Sequence, residues 1–161
     1  MKKMALFLMT GLIFCFAWPV HVQADFDGMI EKTRTLLSIF EIHNTEITEA
    51  LDFVSGAKGQ SPETYVECEA CKALMEEGRA LISRCQNLLS QMEKIAKDAR
   101  SRRALSAEEK EKIKKEAGAK MDELSQKIAK ISAIHLNVIK FLDKKLDFLL
   151  EKLEKGKRTP V

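Results

Sequence analysis

Of the four cysteines in this chain of 161 residues, Cys15 lies in the N-terminal apolar run, and Cys68, Cys71 and Cys85 carry the most reactive side chains of the rest. A thiolate can attack, pair as a disulfide or ligate a soft metal. Cys68 and Cys71 form a CxxC, and Cys85 follows two helical heptads later. All three fall on one helical seam, where unreactive thiols also bury readily. A redox enzyme fits poorly, because Glu67 and Glu69 flank the first thiol and raise its pKa. No alternation of strands and helices points to a thioredoxin-like fold either.

Several arrangements of these thiols stay open. Cys68 and Cys71 could bond at a helix start. Cys85 cannot reach its own helix if that helix is continuous, because 14 residues rise about 21 Å, against a Cα separation limit of about 7 Å. A break at Glu77-Gly78 would let Cys71 face Cys85, or would gather three thiolates around a soft metal. Alternatively, two chains cross antiparallel, so that Cys68 faces Cys85 of a second copy and Met75 faces its Gly78. An odd thiol count in an exported chain agrees with such an intermolecular bond.

Two short resemblances touch this region. Cys68-Glu-Ala-Cys71-Lys72 resembles the CxxCK haem-attachment motif of multihaem nitrite reductases over those five residues, without the usual CxxCH. Tyr65-Val-Glu-Cys-Glu-Ala-Cys-Lys72 resembles the opening of saposin-like domains, which require six cysteines in a set framework. Elsewhere, His43 lies at the edge of one apolar stripe and His135 on the inner face of another. Two histidines, or Met29 with His135, could ligate a haem inside a bundle, but a lone His on an apolar face is more often a core residue. The chain shows no Ser/His/Asp arrangement and no Gly-rich phosphate loop. We therefore expect neither catalysis nor a bound cofactor.

The address is written in the first 24 residues. Lys2 and Lys3 precede an apolar run from Ala5 to Ala17; Trp18-Pro19 ends it, and Val22-Gln23-Ala24 has the small residues a signal peptidase reads. This is the layout of a secretory signal peptide, with the mature chain starting at Asp25. The run is shorter than the roughly 20 residues of a membrane span. Export to the periplasm, or beyond it to the medium, is expected. Without Lys2 and Lys3 the net charge of +3 falls close to neutral, which argues against nucleic-acid binding.

The elements that must position these residues are long helices in one domain, 25–155. Ile30, Leu37, Phe40, Ile47, Leu51 and Val54 mark a stripe over about 29–54, completed by Thr33 and Asn44. Gly, Ser and Pro over 55–62 make a turn, with Ser61 as N-cap and Pro62 in the first helical position. A second helix over about 63–100 carries the seam Cys68, Cys71, Met75, Gly78, Ile82, Cys85, Leu89 and Met92. Leu74, Leu81, Leu88 and Ile95 stand beside it. A face this wide belongs to at least three helices. Ser106-Ala-Glu-Glu109 is a capping box for a third helix over about 107–153, and 156–161 reads as a disordered tail.

Residues 93–123 are poor in large apolar side chains, so they are expected to project as a charged hairpin. A fourth short helix, folded back at Gly118, is the alternative. Arg100, Arg102 and Arg103 cluster at the hairpin tip, where they could meet an acidic partner. The expected fold is an all-α, up-down-up three-helix bundle with a protruding helical hairpin. Its expected role is a non-enzymatic interaction protein of the envelope, self-associating and chaperone-like or an assembly adaptor. A metal or cofactor carrier built on Cys68, Cys71 and Cys85 is the competing class.

Overall fold

The computed structural model describes residues 26–57, 61–102 and 104–157, and they form three α-helices: α1 (Phe26–Gly56), α2 (Pro62–Ser101) and α3 (Ala107–Lys157). The segment 1–24 expected to be a signal peptide, Arg103 and residues 158–161 of the expected tail lie outside the described residues.

The helix starts follow local chemistry. Ser61 caps α2 in an extended conformation (φ −75°, ψ 151°), and its Oγ accepts from the Thr64 N–H at 3.2 Å. Pro62 follows with φ already suited to a helix and no N–H to satisfy. At α3 the capping box is complete. The Glu109 N–H donates to Ser106 Oγ at 3.1 Å, and the Ser106 N–H donates to Glu109 Oε2 at 2.9 Å. These hydrogen bonds hold the Glu109 carboxyl below its usual range.

Side-chain pairs show the topology. Arg34 of α1 meets Glu93 of α2, Gln86 donates to Glu41 at 3.1 Å, and Lys72 pairs with Asp52 at 2.8 Å. Numbers rise along α1 as they fall along α2, so these helices are antiparallel. Lys120 donates to Gln91 at 2.7 Å, Lys130 pairs with Glu77 at 2.6 Å and Lys145 with Glu67 at 2.5 Å. Helix α3 is thus antiparallel to α2 and parallel to α1. The chain is an all-α, up-down-up three-helix bundle.

The core runs along its axis. Helix α1 contributes Ile30, Leu37, Phe40, Ile47, Leu51 and Val54, every apolar member of its stripe. From α2 come Cys68, Met75, Leu81, Ile82, Cys85, Leu88, Leu89 and Met92, and from α3 Leu124, Ile128, Ile131, Ile134, Val138 and Leu142. Leu74 is half-exposed, so the second row of α2 is buried only in its middle.

No side chain from Glu93 to Glu123 is fully buried among the described residues. Ile95, Ala96, Ala99, Ile113 and Ala117 are partly buried. The projection is shorter than the span 93–123, however. Helix α1 starts at Phe26, its Arg34 reaches Glu93, and Ile30 one turn earlier is buried. At the other end, α3 passes through Gly156 to Lys157 rather than ending before them. A single glycine weakens a helix without blocking its hydrogen bonds, and the next proline is Pro160.

Gly78 and Gly118 both lie inside continuous helices, so neither breaks its helix. A methyl group at Gly118 would meet nothing within 4 Å. Gly118→Ala should therefore stabilise the protein by about 1 kcal/mol through helix propensity alone, read as a higher urea midpoint at unchanged slope.

Candidate functional site

The continuous α2 decides how the thiols stand. Cys68 and Cys71 are one turn apart, whereas Cys85 lies about 21 Å beyond Cys71 along the axis by helix rise. The structure does not bring the three together, and all are free thiols. Among the described residues, no group of three or more His, Cys, Asp or Glu is placed to hold a metal ion.

Cys68 and Cys85 are each 0% exposed, inside the bundle of one chain. The seam that could have faced a second copy faces α1 and α3 instead. A bond from Cys68 to Cys85 of a second copy would need one of those helices to move away.

Burial is the main influence on all three thiols. It raises the pKa of Cys68, partly opposed by Lys72 and Lys145, with Glu67 and Glu69 adding smaller increases. It also raises Cys71, helped by Cys68 and Glu67, and pushes Cys85 up to about 11. Such thiols are poor nucleophiles at neutral pH. Under native conditions at pH 7, half-buried Cys71 should react first with a thiol reagent, and Cys68 and Cys85 only after unfolding. Peptide mass mapping of the labelled chain checks this order.

Two of the three tip arginines, Arg100 and Arg102, are described, and both have interaction partners. Arg102 binds Glu109 at 3.3 Å across the α2–α3 turn, and Arg100 also has a partner. The surface clefts are shallow and polar. One, between α2 and α3, is lined by Arg84, Asn87, Leu88, Gln91, Glu123 and Lys127. Another lies between α1 and α2 around Arg34, Glu41, Gln86 and Glu93. The second also holds Ser38 and Ser90, and the Ser90 hydroxyl donates to the Gln86 main-chain carbonyl at 3.1 Å rather than to a carboxylate.

The middle of the core holds an arrangement that the sequence stripes show only in pieces. Asn44 of α1 is 2% exposed and His135 of α3 is 5% exposed, and His135 Nε2 lies 3.3 Å from Asn44 Oδ1. Only the ring nitrogen can bring a proton to that contact, so neutral His135 carries it on Nε2 and donates. The Phe40 ring stands edge-on to the imidazole, with centroids 5.5 Å apart and planes at 77°. Gly78 of α2 completes the layer, because a Cβ there would sit 3.2 Å from Asn44 Oδ1 and 3.9 Å from His135 Nε2.

Burial lowers the His135 pKa to about 4, with His43 adding to the shift. The ring is neutral at physiological pH. Met29 lies four turns before Asn44, about 22 Å along α1 by helix rise, so it does not share a ligand site with His135. Asn44, Gly78 and His135 each stand out on a stripe, but their convergence depends on the axial offsets of three helices.

The exposed apolar side chains are unevenly placed. Phe53 near the end of α1, Tyr65 and Val66 in the first turns of α2, and Phe148 and Leu150 of α3 are all more than half exposed. The Lys145 contacts with Glu67 and with Thr64 (3.3 Å) put these positions at the same end of the bundle, opposite the arginine tip. No described helix is long and apolar enough to cross a membrane. Comparison of the chain with family models, with curated proteins and with solved structures finds no match.

Proposed function

We propose that this chain is an exported, non-enzymatic interaction protein that holds apolar segments of other polypeptides, in the manner of a nucleotide-independent chaperone. One observation carries the reading: of the six large apolar side chains more than half exposed among the described residues, five, drawn from all three helices, lie at one end of the bundle, and only Ile42 stands along its body. Soluble domains rarely concentrate exposed apolar groups without a binding role. Tyr65, Phe53 and Phe148 are the side-chain types that dominate protein contacts. Export rests on the residue pattern of 1–24.

The contact end in this proposal lies away from Arg100, Arg102 and Arg103. Ion pairing at the tip favours an ordinary solvated surface there. Self-association is part of the proposal, with the same apolar end available to a second copy.

Suppression of the aggregation of dithiothreitol-reduced insulin tests it. Stoichiometric protein should delay light scattering several-fold, and the double variant Phe53→Ser/Phe148→Ser should lose most of that delay with its helicity intact. Equal suppression by the variant and the parent chain would reject the apolar end as the contact. Copurifying metal or haem would favour the carrier reading.

A further inference from the structure

We propose that His135 is an acid-sensitive latch, whose protonation parts α1 from α3 and opens the seam holding Cys68, Met75, Ile82 and Cys85. The contacts place the latch between α1 and α3. Both groups that touch the imidazole in the described hydrogen-bond and ring contacts, Asn44 Oδ1 and the Phe40 ring, belong to α1. Both α1 and α3 stay joined to α2 by connections of five residues, 57–61 and 102–106.

Protonation adds a second ring N–H and a positive charge in an apolar layer. Asn44 Oδ1 already accepts from Nε2, and the Phe40 ring and Gly78 beside the imidazole offer no side-chain acceptor. The titratable surroundings do not rescue the cation. Helix α1 presents His43, which opposes a second positive charge. Helix α2 presents Gly78, and the flanking Glu77 and Arg79 pair outward with Lys130 and Glu76, each at 2.6 Å. On α3 itself the nearest charged residues, Lys130 and Lys140, are exposed cations. The proton is therefore taken up from solvent only when the layer opens and the ring is hydrated.

The direction and size follow from linkage. The ring titrates near 6.5 when solvated and at about 4 in the closed bundle. Acid therefore favours the open form between those values, and a drop from pH 7 to pH 5 should raise the opening constant roughly 20-fold. Opening itself does not depend on the proposed chaperone role. Its use, exposing an apolar groove to clients under acid conditions, rests on that reading.

Labelling of the full chain with 4,4′-dithiodipyridine, which reacts with thiols at acid pH, tests the latch. Rates at Cys68 and Cys85 are divided by the rates of the urea-unfolded chain at the same pH. The expected result is about 20-fold less protection at pH 5 than at pH 7. In His135→Gln, which keeps a donor for Asn44 Oδ1 but does not titrate, protection should change less than 3-fold. Asn44→Asp places a carboxylate against the ring and should likewise suppress acid opening, which serves if His135→Gln does not fold. Equal acid sensitivity in parent and variants, or none in the parent, overturns the latch. Insulin aggregation measured at both pH values reports separately on the chaperone reading, since labelling can succeed where suppression fails.

Discussion

Phe40→Ala should lower the unfolding free energy by about 4 kcal/mol, within the range of about 3–5 for removing a buried phenyl ring. Phe40 is the largest of the fully buried side chains, at 2% exposure, and stands at the level where all three helices meet. Its removal takes away apolar burial, the edge-on contact with His135 and the plug that keeps water from the imidazole. The last loss gives the substitution a second signature. In the parent chain the folded pKa of His135, about 4, lies below its ordinary value. That contribution is complete above about pH 6.5 and is lost as pH falls towards 4, amounting to about 3 kcal/mol across the window. A cavity that admits water moves the pKa back up and flattens this dependence. Urea denaturation followed by circular dichroism at pH 7 and pH 5 measures both effects. A loss below about 1.5 kcal/mol at pH 7 would show that the core collapses around the missing ring and that Phe40 is not the keystone of the layer.

Gly78→Leu should cost about 3 kcal/mol or more, through overpacking at a point where backbone meets side chain. Even a methyl group there comes within 3.2 Å of Asn44 Oδ1, tighter than ordinary carbon–oxygen contact. Asn44 has little room to retreat, since it is 2% exposed and His135 holds its side-chain oxygen. Gly78→Ala separates the causes. Its helix propensity gain of about 1 kcal/mol is offset by the clash in the parent chain and is recovered when Asn44→Ala is also present. The double-mutant cycle should give a coupling of at least about 1 kcal/mol. The contrast with Gly118, which faces open space, makes the pair diagnostic. Two glycines inside helices should respond to alanine with different signs because only one stands against another helix.

These expectations bear on how the bundle finds one structure. An apolar stripe can slide by a turn against its neighbours at modest cost, and the α1, α2 and α3 stripes are each long enough to allow it. Asn44 and His135 satisfy one another only when α1 and α3 are at one offset, and Gly78 makes room only when α2 is there too. A slipped register buries an unpaired amide or imidazole, at a cost of about 1–3 kcal/mol for each group. We read the layer as a register lock at neutral pH, the role a buried Asn has in coiled coils.

Much of the architecture was legible in the residues alone. The spacing of Ile30, Leu37, Phe40, Ile47, Leu51 and Val54 identifies a buried face without reference to any neighbour, because helical periodicity is a local property. Ser61-Pro62 and the Ser106/Glu109 box likewise set their helix starts through atoms three residues apart. The poverty of apolar side chains from 93 to 123 foretold where full burial would stop. Only the tertiary structure decided what depends on distances between helices. It kept α2 straight through Gly78 and so separated Cys85 from Cys71. It buried the thiol seam within a single chain, shortened the projecting hairpin by running α1 past Arg34–Glu93, and turned Arg102 onto Glu109. It also brought Asn44, Gly78 and His135 into one layer. The physical reason is the same throughout: periodicity states which face of a helix is apolar, but the axial offset between two helices is the sum of all their side-chain contacts, and no single stripe contains it.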